Sequence, residues 1–377
     1  MRGLRHISLR ALRHARHRSL PGVRGKTASR AGAARARRSE NASVSESTDL
    51  AGFGVAVGHA TDVAGATGLT VVRGISDPLR AGVAVVGHAT GSRELLAASS
   101  DHLVDGRIDA IMLTGGSAYG LDAAAGVMRW MEDRGRGFHV GAGVVPIVPA
   151  AVAFDLAPLG RFDARPTADM AYAAAESARS SGIAEGSVGA GTGATVGKIA
   201  GPALAMKGGF GLAVEGDTRH GLAAFALAVV NAFGDVRDMA GRIIAGARRA
   251  DGTAGFADTS AMLAHSSQNT ATSFEEVAGR NTTLAIVGVN RAMSSGELTA
   301  LARAATAAFF RRITPCGTAF DGDIVFAIAP ASGEKSDAPP AAAGVMVAAA
   351  LERALERAVV LAKGREGIPG IADKNGD

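Results

Sequence analysis

Cysteine and aromatic residues are scarce in this 377-residue chain, which holds a single cysteine, Cys316, and only 4% aromatic residues. A lone cysteine excludes an internal disulfide framework and a metal site built from several cysteines. We interpret Cys316 as a small core residue, with a reactive thiol as the alternative. Because hydrophobic residues still make up 47% of the chain, the core must be aliphatic, and 51 glycines predict the many tight turns of a layered α/β protein.

Long hydrophobic runs are also missing. The longest candidate, residues 340–351, is mostly alanine and runs into Glu352 and Arg353. It falls short of the ~18 uncharged apolar residues that a membrane-spanning helix needs. We therefore expect a soluble, cytoplasmic protein without a membrane partner.

Acidic residues are absent from positions 1–39, which contain eleven arginines and Lys26. This segment carries +12 within a net charge of +5, so the remainder carries −7. Charge confined to one terminus argues against a nucleic-acid-binding body. We predict that residues 1–50 form a disordered basic extension, with a targeting peptide or a start placed too far upstream as alternatives. Residues 51–377 are predicted to form a single domain.

The residues Asn281-Thr282-Thr283 lie immediately before the alternating run 284–289, which predicts a strand, and after the polar stretch 265–280, which predicts an exposed loop. A hydroxyl residue at such a junction can attack the preceding carbonyl and cut its own chain. The cut would leave Thr282 as a new N-terminus that carries both a nucleophile and an amine base. A simple loop-to-strand boundary and a glycosylation sequon are the alternatives.

Two glycine-containing segments come close to known catalytic loops without completing them. Ser117 follows the predicted strand 110–114, but the segment 115–119 lacks the last glycine of a nucleophile elbow. We interpret Ser117 as a helix cap or a residue of a pocket loop. The segment 186–198 fails the spacing of both phosphate-binding glycine motifs, so we expect no ATP, NAD or other cofactor. Its backbone N–H groups and Lys198 can still lie beside a small-molecule pocket.

Asp321 and Asp323 come just before a buried strand predicted over 324–328. Two residues apart, their side chains would share one face. They could hydrogen-bond the Thr282 hydroxyl or ammonium, or lower the cost of burying Lys198. An ordinary Asp-Gly turn is the alternative. The histidines show no metal-ligand spacing, so we predict no metal site.

Two helices are predicted near the C-terminus. The first opens at the capping box Ser294-x-x-Glu297 and runs to about Arg311, and the second covers about 341–363. Strands and helices alternate without a strict βαβ rhythm, which predicts packed α and β layers.

Six motifs occur in the order found in one family of hydrolases: 114–122, 145–149 with Phe154-Asp155, 189–198, 230–235, the Asn281-Thr282 junction and 320–323. Over roughly residues 50–365 the chain resembles the P1 peptidases, a family of L-aminopeptidase/D-amidase-esterases, β-peptidyl aminopeptidases and nylon-oligomer hydrolases. The resemblance implies a four-layer α/β/β/α sandwich, similar to N-terminal-nucleophile hydrolases but connected differently. It also implies an α chain (1–281) and a β chain (282–377) that stay associated, in a tetramer of such heterodimers.

The resemblance implies a role for each matching residue: Thr282 as nucleophile after cleavage from Asn281, Asn231 as oxyanion donor, Lys198 as a lysine near the nucleophile, and Asp321 and Asp323 as the orienting acids. Phe154 and Ser117 are expected at the substrate. Phe154 falls where several members have an active-site tyrosine.

These residues predict an autoprocessing aminopeptidase or amidase that cleaves small peptides or oligoamides through an acyl-enzyme on Thr282. One alternative is an acyltransferase of the ornithine acetyltransferase type, which shares the general fold and a self-generated N-terminal threonine. A catalytically silent member is the other alternative, because of Phe154. The choice among L-, D-, β- and ω-amino amides stays open.

Overall fold

Two β-sheets stacked face to face form the centre of the fold. The structure is a computed structural model that describes residues 48–99, 101–219, 221–265, 281–335 and 339–375. Residues 1–47 of the predicted basic extension and most of the polar stretch 265–280 therefore lie outside the described residues. The last residue of the predicted extension, Leu50, is buried in the core, so the ordered part begins slightly before residue 51. The part of the chain from Ser47 onward forms one compact unit.

The strands within the described ranges are β1 (Val55–Asp62), β2 (Thr67–Gly74), β3 (Leu79–Val85), β4 (Ser92–Arg93), β5 (Arg107–Ile108), β6 (Ala110–Thr114), β7 (Phe138–His139), β8 (Val144–Val145), β9 (Ala150–Val152), β10 (Thr195–Val196), β11 (Met206–Lys207), β12 (Gly209–Glu215), β13 (Ala224–Asn231), β14 (Asp235–Arg237), β15 (Ile243–Ala245), β16 (Thr282–Val289), β17 (Ile313–Thr314) and β18 (Ile324–Pro330). The α-helices are α1 (Ala124–Glu132), α2 (Ala168–Ser177), α3 (Thr259–His265), α4 (Ser295–Arg312) and α5 (Pro340–Val360).

The first large sheet has the strand order β1-β2-β6-β9-β4, and the second has the order β12-β13-β16-β18-β3-β5. In the second sheet β16 is the strand that begins at Thr282. It pairs antiparallel with β13 and parallel with β18, so it lies in the interior of the sheet. Its eight residues are all buried.

Three apolar layers hold these elements together. The middle layer joins the inner faces of the two sheets, with Ile111 and Leu113 from the first and Leu227 and Ile286 from the second. A second layer lies between the first sheet and helices α1 and α2, and a third between the second sheet and helices α4 and α5. The order helix, sheet, sheet, helix confirms the predicted α/β/β/α sandwich.

Small residues allow helix α5 to approach strand β12 closely. A side chain at Gly211 would place its Cβ 2.1 Å from the carbonyl oxygen of Ala354, so only glycine fits there. This contact explains why an alanine- and glycine-rich sequence can form a dense core with few aromatic residues.

The two C-terminal helices agree with the sequence. Helix α4 begins with the predicted capping box, in which Ser294 accepts from the Glu297 N–H and Glu297 accepts from the Ser294 N–H. Helix α5 ends three residues before the predicted 363. None of the helices in the described ranges has the length and apolarity that a bilayer crossing requires.

Candidate active site

The sheet topology brings three separate segments together at Thr282. Strand β13 ends at Asn231 and strand β16 begins at Thr282, and the antiparallel register pairs these two residues directly. On the other side of β16, the segment before β18 runs parallel to it, so Asn281 forms a bridge with Asp321. The side chains of Asn231 and Thr282 are both buried. Residues that are far apart in sequence therefore meet at one end of the second sheet.

The carbonyl oxygen of Asn281 accepts two hydrogen bonds. The Thr282 hydroxyl donates to it over 2.6 Å, and the backbone N–H of Gly322 donates over 2.8 Å. Two donors on one carbonyl oxygen withdraw electron density from its carbon and make that carbon more electrophilic. The hydroxyl is thus held beside the peptide group that joins Asn281 to Thr282.

The side-chain amide of Asn231 is held at both ends. Its Oδ1 accepts from the Thr195 N–H at 3.0 Å and from Lys198 Nζ at 2.8 Å, while its Nδ2 donates to the Phe154 carbonyl at 2.9 Å. Reversing the amide would set N–H groups against N–H donors, so only one orientation satisfies the network. The structure therefore brings the predicted site residues Asn231, Lys198 and Phe154 together around one amide. The Phe154 contact uses its main chain, which phenylalanine supplies as well as tyrosine.

Lys198 is half-buried, and its side-chain amine has a pKa near neutral pH. Its Nζ also donates to the Asn231 carbonyl at 2.9 Å. Burial lowers the pKa of Lys198 to about 7, against the opposing effect of the negative charges on Asp321 and Asp323. An amine with such a pKa is partly neutral at physiological pH and can accept a proton.

The two acids bind backbone groups. Asp323 accepts from the N–H of Thr283 at 2.6 Å and from the N–H of Gly317 at 3.0 Å. Asp321 accepts from both the N–H and the hydroxyl of Thr318. The Thr282 hydroxyl has one proton, which it donates to Asn281, so the predicted bond from this hydroxyl to the acids is wrong for the uncut chain. Their predicted effect on Lys198 agrees with the pKa argument above.

Burial raises the pKa of both carboxyl groups, and the charge of Asp321 raises that of Asp323 further. Nearby Cys316 is affected in the same direction, because burial and these two acids raise the pKa of its thiol. The thiol therefore stays protonated at neutral pH, which agrees with the interpretation of Cys316 as an unreactive residue.

Ser117 does not cap a helix. It is the first residue of a 3₁₀ helix, Ser117–Ala123, whose N-cap is Gly116, and no side-chain capping bond is present. Its φ of 52° is left-handed, which is costly for a residue with a Cβ. The Ser117 N–H donates to the Ala153 carbonyl, one residue before Phe154. The pocket-loop interpretation therefore remains, and the capping interpretation is wrong.

The glycine-rich segment 186–198 presents carbonyl groups to a buried lysine that the sequence analysis missed. Lys207 Nζ donates to the carbonyls of Gly191, Ala194 and Gly208, each at 2.9 Å. The loop therefore presents carbonyl acceptors to an internal amine, which is the reverse polarity of a phosphate cradle. Since Thr195 follows directly and donates to Asn231, Lys207 holds the backbone that orients the Asn231 amide. No spacing pattern in the sequence marks Lys207.

A comparison with protein families decides the classification. The profile of peptidase family S58 matches residues 47–371. The chain belongs to peptidase family S58. This confirms the predicted family of aminopeptidases and amide hydrolases, and the protein is a hydrolase acting on peptide or amide bonds.

Relatives of this S58 member carry consistent names. An uncharacterized aminopeptidase of Mycobacterium tuberculosis is 38% identical over 288 residues, covering 71% of this chain and 78% of the relative. A 6-aminohexanoate-oligomer endohydrolase of a Kocuria species is 30% identical over 286 residues, covering 73% and 72%. The solved L-aminopeptidase D-Ala-esterase/amidase of Ochrobactrum anthropi superposes with a TM-score of 0.62 at 19% identity, covering 84% of this chain and 86% of the other. That protein is described as a variant of the Ntn hydrolase fold.

Proposed function

We propose that this hydrolase activates itself by cutting the bond between Asn281 and Thr282, and then cleaves amides through an acyl-enzyme on Thr282. The observation that carries the proposal is the Thr282 hydroxyl, buried and 2.6 Å from the oxygen of its own preceding carbonyl. A hydroxyl in that position is next to the one carbonyl carbon whose attack would release a threonine N-terminus.

In the self-cleavage step the Thr282 oxygen forms a bond to the Asn281 carbonyl carbon. Its proton passes to a base, for which we assign the neutral amine of Lys198. The C–N bond then breaks, the proton goes to the departing Thr282 nitrogen, and an ester links Asn281 to the hydroxyl oxygen. Water hydrolyses this ester, leaving a carboxylate on Asn281 and restoring the Thr282 hydroxyl.

In the mature enzyme the free α-amine of Thr282 takes over as base. Its reference pKa of ~7.7–8.0 suits a general base at neutral pH. Asn231, which pairs with Thr282 across the sheet, is the assigned side-chain donor to the substrate oxyanion. Attack on a substrate carbonyl expels the substrate amine and forms an ester on Thr282, which water hydrolyses.

The cut would leave two intertwined chains. Strand β16 would belong to the β chain, yet its neighbour β13 would belong to the α chain, with eight residue pairs between them. Helix α5 of the β chain packs on strands of both chains, so separation would expose a shared core. We infer a tightly associated heterodimer in a single domain, and its assembly into a tetramer stays a prediction.

We place the substrates among short peptides and oligoamides. The relatives named above include aminopeptidases and an endohydrolase of 6-aminohexanoate oligomers. Both kinds of substrate contain a secondary amide that an N-terminal nucleophile can attack. A panel of amino-acid p-nitroanilides and short β- and ω-amino oligomers would identify the preferred backbone.

Purified protein should contain two chains of 281 and 96 residues, the smaller beginning Thr-Thr-Leu. Intact mass and N-terminal sequencing check this directly. A chain that remains uncut while hydrolysing amides at full rate would contradict the mechanism.

The rate of self-cleavage should rise about tenfold per pH unit below pH 7 and level off above it. The reason is that burial lowers the pKa of Lys198 to about 7, and only its neutral form accepts the hydroxyl proton. The Thr282 nitrogen does not contribute, since it is an amide before the cut. Pulse-labelled chain followed from pH 5.5 to 9 gives the profile.

Lys198→Arg is the matched control, because arginine keeps a cationic donor near Asn231 but cannot lose its proton in this range. We expect its self-cleavage to be slower by ~10²–10⁴-fold, the usual worth of a general base, without the rise near pH 7. An arginine variant with the same rate and the same rise would rule out Lys198 as the base.

A further inference from the structure

We propose that the backbone N–H of Gly322 is the oxyanion donor of the self-cleavage step. The inference rests on the proposed self-cleavage and deepens it. The Gly322 nitrogen lies 2.8 Å from the Asn281 carbonyl oxygen. The Thr282 hydroxyl, which is the proposed nucleophile, donates a hydrogen bond to the same oxygen. When the hydroxyl oxygen bonds to the carbonyl carbon, negative charge develops on an oxygen that already faces this N–H.

Gly322 is held in place by its two neighbours, Asp321 and Asp323. Their main-chain carbonyls accept from the N–H groups of Ala89 and Gly87, at 2.8 and 3.0 Å. Their carboxylates are bound to backbone and hydroxyl groups, as described above. A donor fixed on both sides needs no reorganisation when charge develops, which is what makes an oxyanion donor effective.

Glycine at this position is required for space. A Cβ on Gly322 would lie 2.9 Å from the Thr282 hydroxyl oxygen and 2.8 Å from the Ala89 carbonyl oxygen. Any side chain would therefore crowd the nucleophile. The two acids of the Asp-Gly-Asp motif accordingly act as positioning residues for the N–H between them, in addition to their effect on Lys198.

The test removes this single N–H from the full-length chain. Glycolic acid in place of Gly322, incorporated by ribosomal translation, replaces the N–H with an ester oxygen and adds no atoms. We expect self-cleavage to slow by ~10²–10³-fold, the usual loss for one oxyanion donor. Resistance to limited proteolysis reports that the chain has folded.

Lactic acid in place of Ala89 is the matched control. An ester at position 322 also weakens the Asp321 carbonyl as an acceptor, and that carbonyl binds the Ala89 N–H. Removing the Ala89 N–H eliminates this second bond while leaving the Gly322 N–H intact. The control should cut itself within a few-fold of the natural rate.

The outcomes separate this inference from the proposed function. If the all-amide chain stays uncut, the proposed self-cleavage fails. If it is cut and the folded Gly322 ester is cut equally fast, only the role of Gly322 is overturned. If the ester chain does not fold, hydrogen exchange of the uncut Thr282→Ala chain decides. In that chain the Gly322 amide hydrogen should exchange as slowly as the Ala89 amide hydrogen. Fast exchange at Gly322 with slow exchange at Ala89 would contradict the assignment.

Discussion

Replacing Thr282 with alanine is expected to leave one uncut chain of 377 residues with amidase activity reduced by at least ~10⁴-fold. The substitution removes the hydroxyl oxygen that lies 2.6 Å from the Asn281 carbonyl oxygen and that we assign as the nucleophile. It also prevents release of the α-amine, so both the nucleophile and its base are lost together. Gel electrophoresis and p-nitroanilide hydrolysis measure the two losses.

Thr282→Ser is the matched control. Serine keeps the hydroxyl and removes one methyl group, so the chain should still be cut and should retain activity. The Thr282 methyl group contributes little to the stability of the fold, because the other side chains of this buried strand remain in place. A Thr282→Ala chain that is cut normally would exclude Thr282 as the nucleophile and leave the catalytically silent alternative open.

Asn231→Asp is expected to lower kcat by ~10²–10³-fold with a smaller change in KM. Aspartate has the same shape and can still accept from Thr195 and Lys198, but an ionised carboxylate has no N–H to donate. The loss therefore reports the donor function of Asn231 during the reaction. Steady-state kinetics of the processed enzyme measure it.

Asn290→Asp is a control at the opposite end of the same pair of strands. Asn290 also accepts a backbone N–H, from Ala223, and donates Nδ2 to a main-chain carbonyl, that of Gly221. At ~3.3 Å per residue, the eight residue steps along strand β16 separate Asn290 from Thr282 by roughly 26 Å. Both variants should lose a comparable ~1–3 kcal/mol of stability, while only Asn231→Asp loses activity. Equal losses of activity in both would show that Asn231 acts through stability alone.

Local patterns in the sequence predicted the elements that depend on local interactions. The capping box at Ser294 is confirmed because its hydrogen bonds join residues three apart. The strand after Asn281 is confirmed, and all eight of its residues are buried because it lies inside a sheet that is covered on both faces. The predicted cap at Ser117 is wrong because the 3₁₀ helix already begins at Ser117, with Gly116 as its N-cap. The φ of Ser117 is also left-handed. Such a conformation depends on the loop around it and has no pattern of its own.

The sequence by itself determined the order of the motifs and the candidate site residues that we propose carry the chemistry: the junction at Thr282, the asparagine, the lysine and the two acids. The tertiary structure alone decided what each of them contacts. In the structure the two acids accept hydrogen bonds from backbone N–H groups, and Lys207 donates to loop carbonyls. The Gly322 N–H donates to the Asn281 carbonyl. The physical reason is that these contacts are made by main-chain groups. Every residue except proline carries the same N–H and carbonyl, so only the fold determines which of them face a reacting atom.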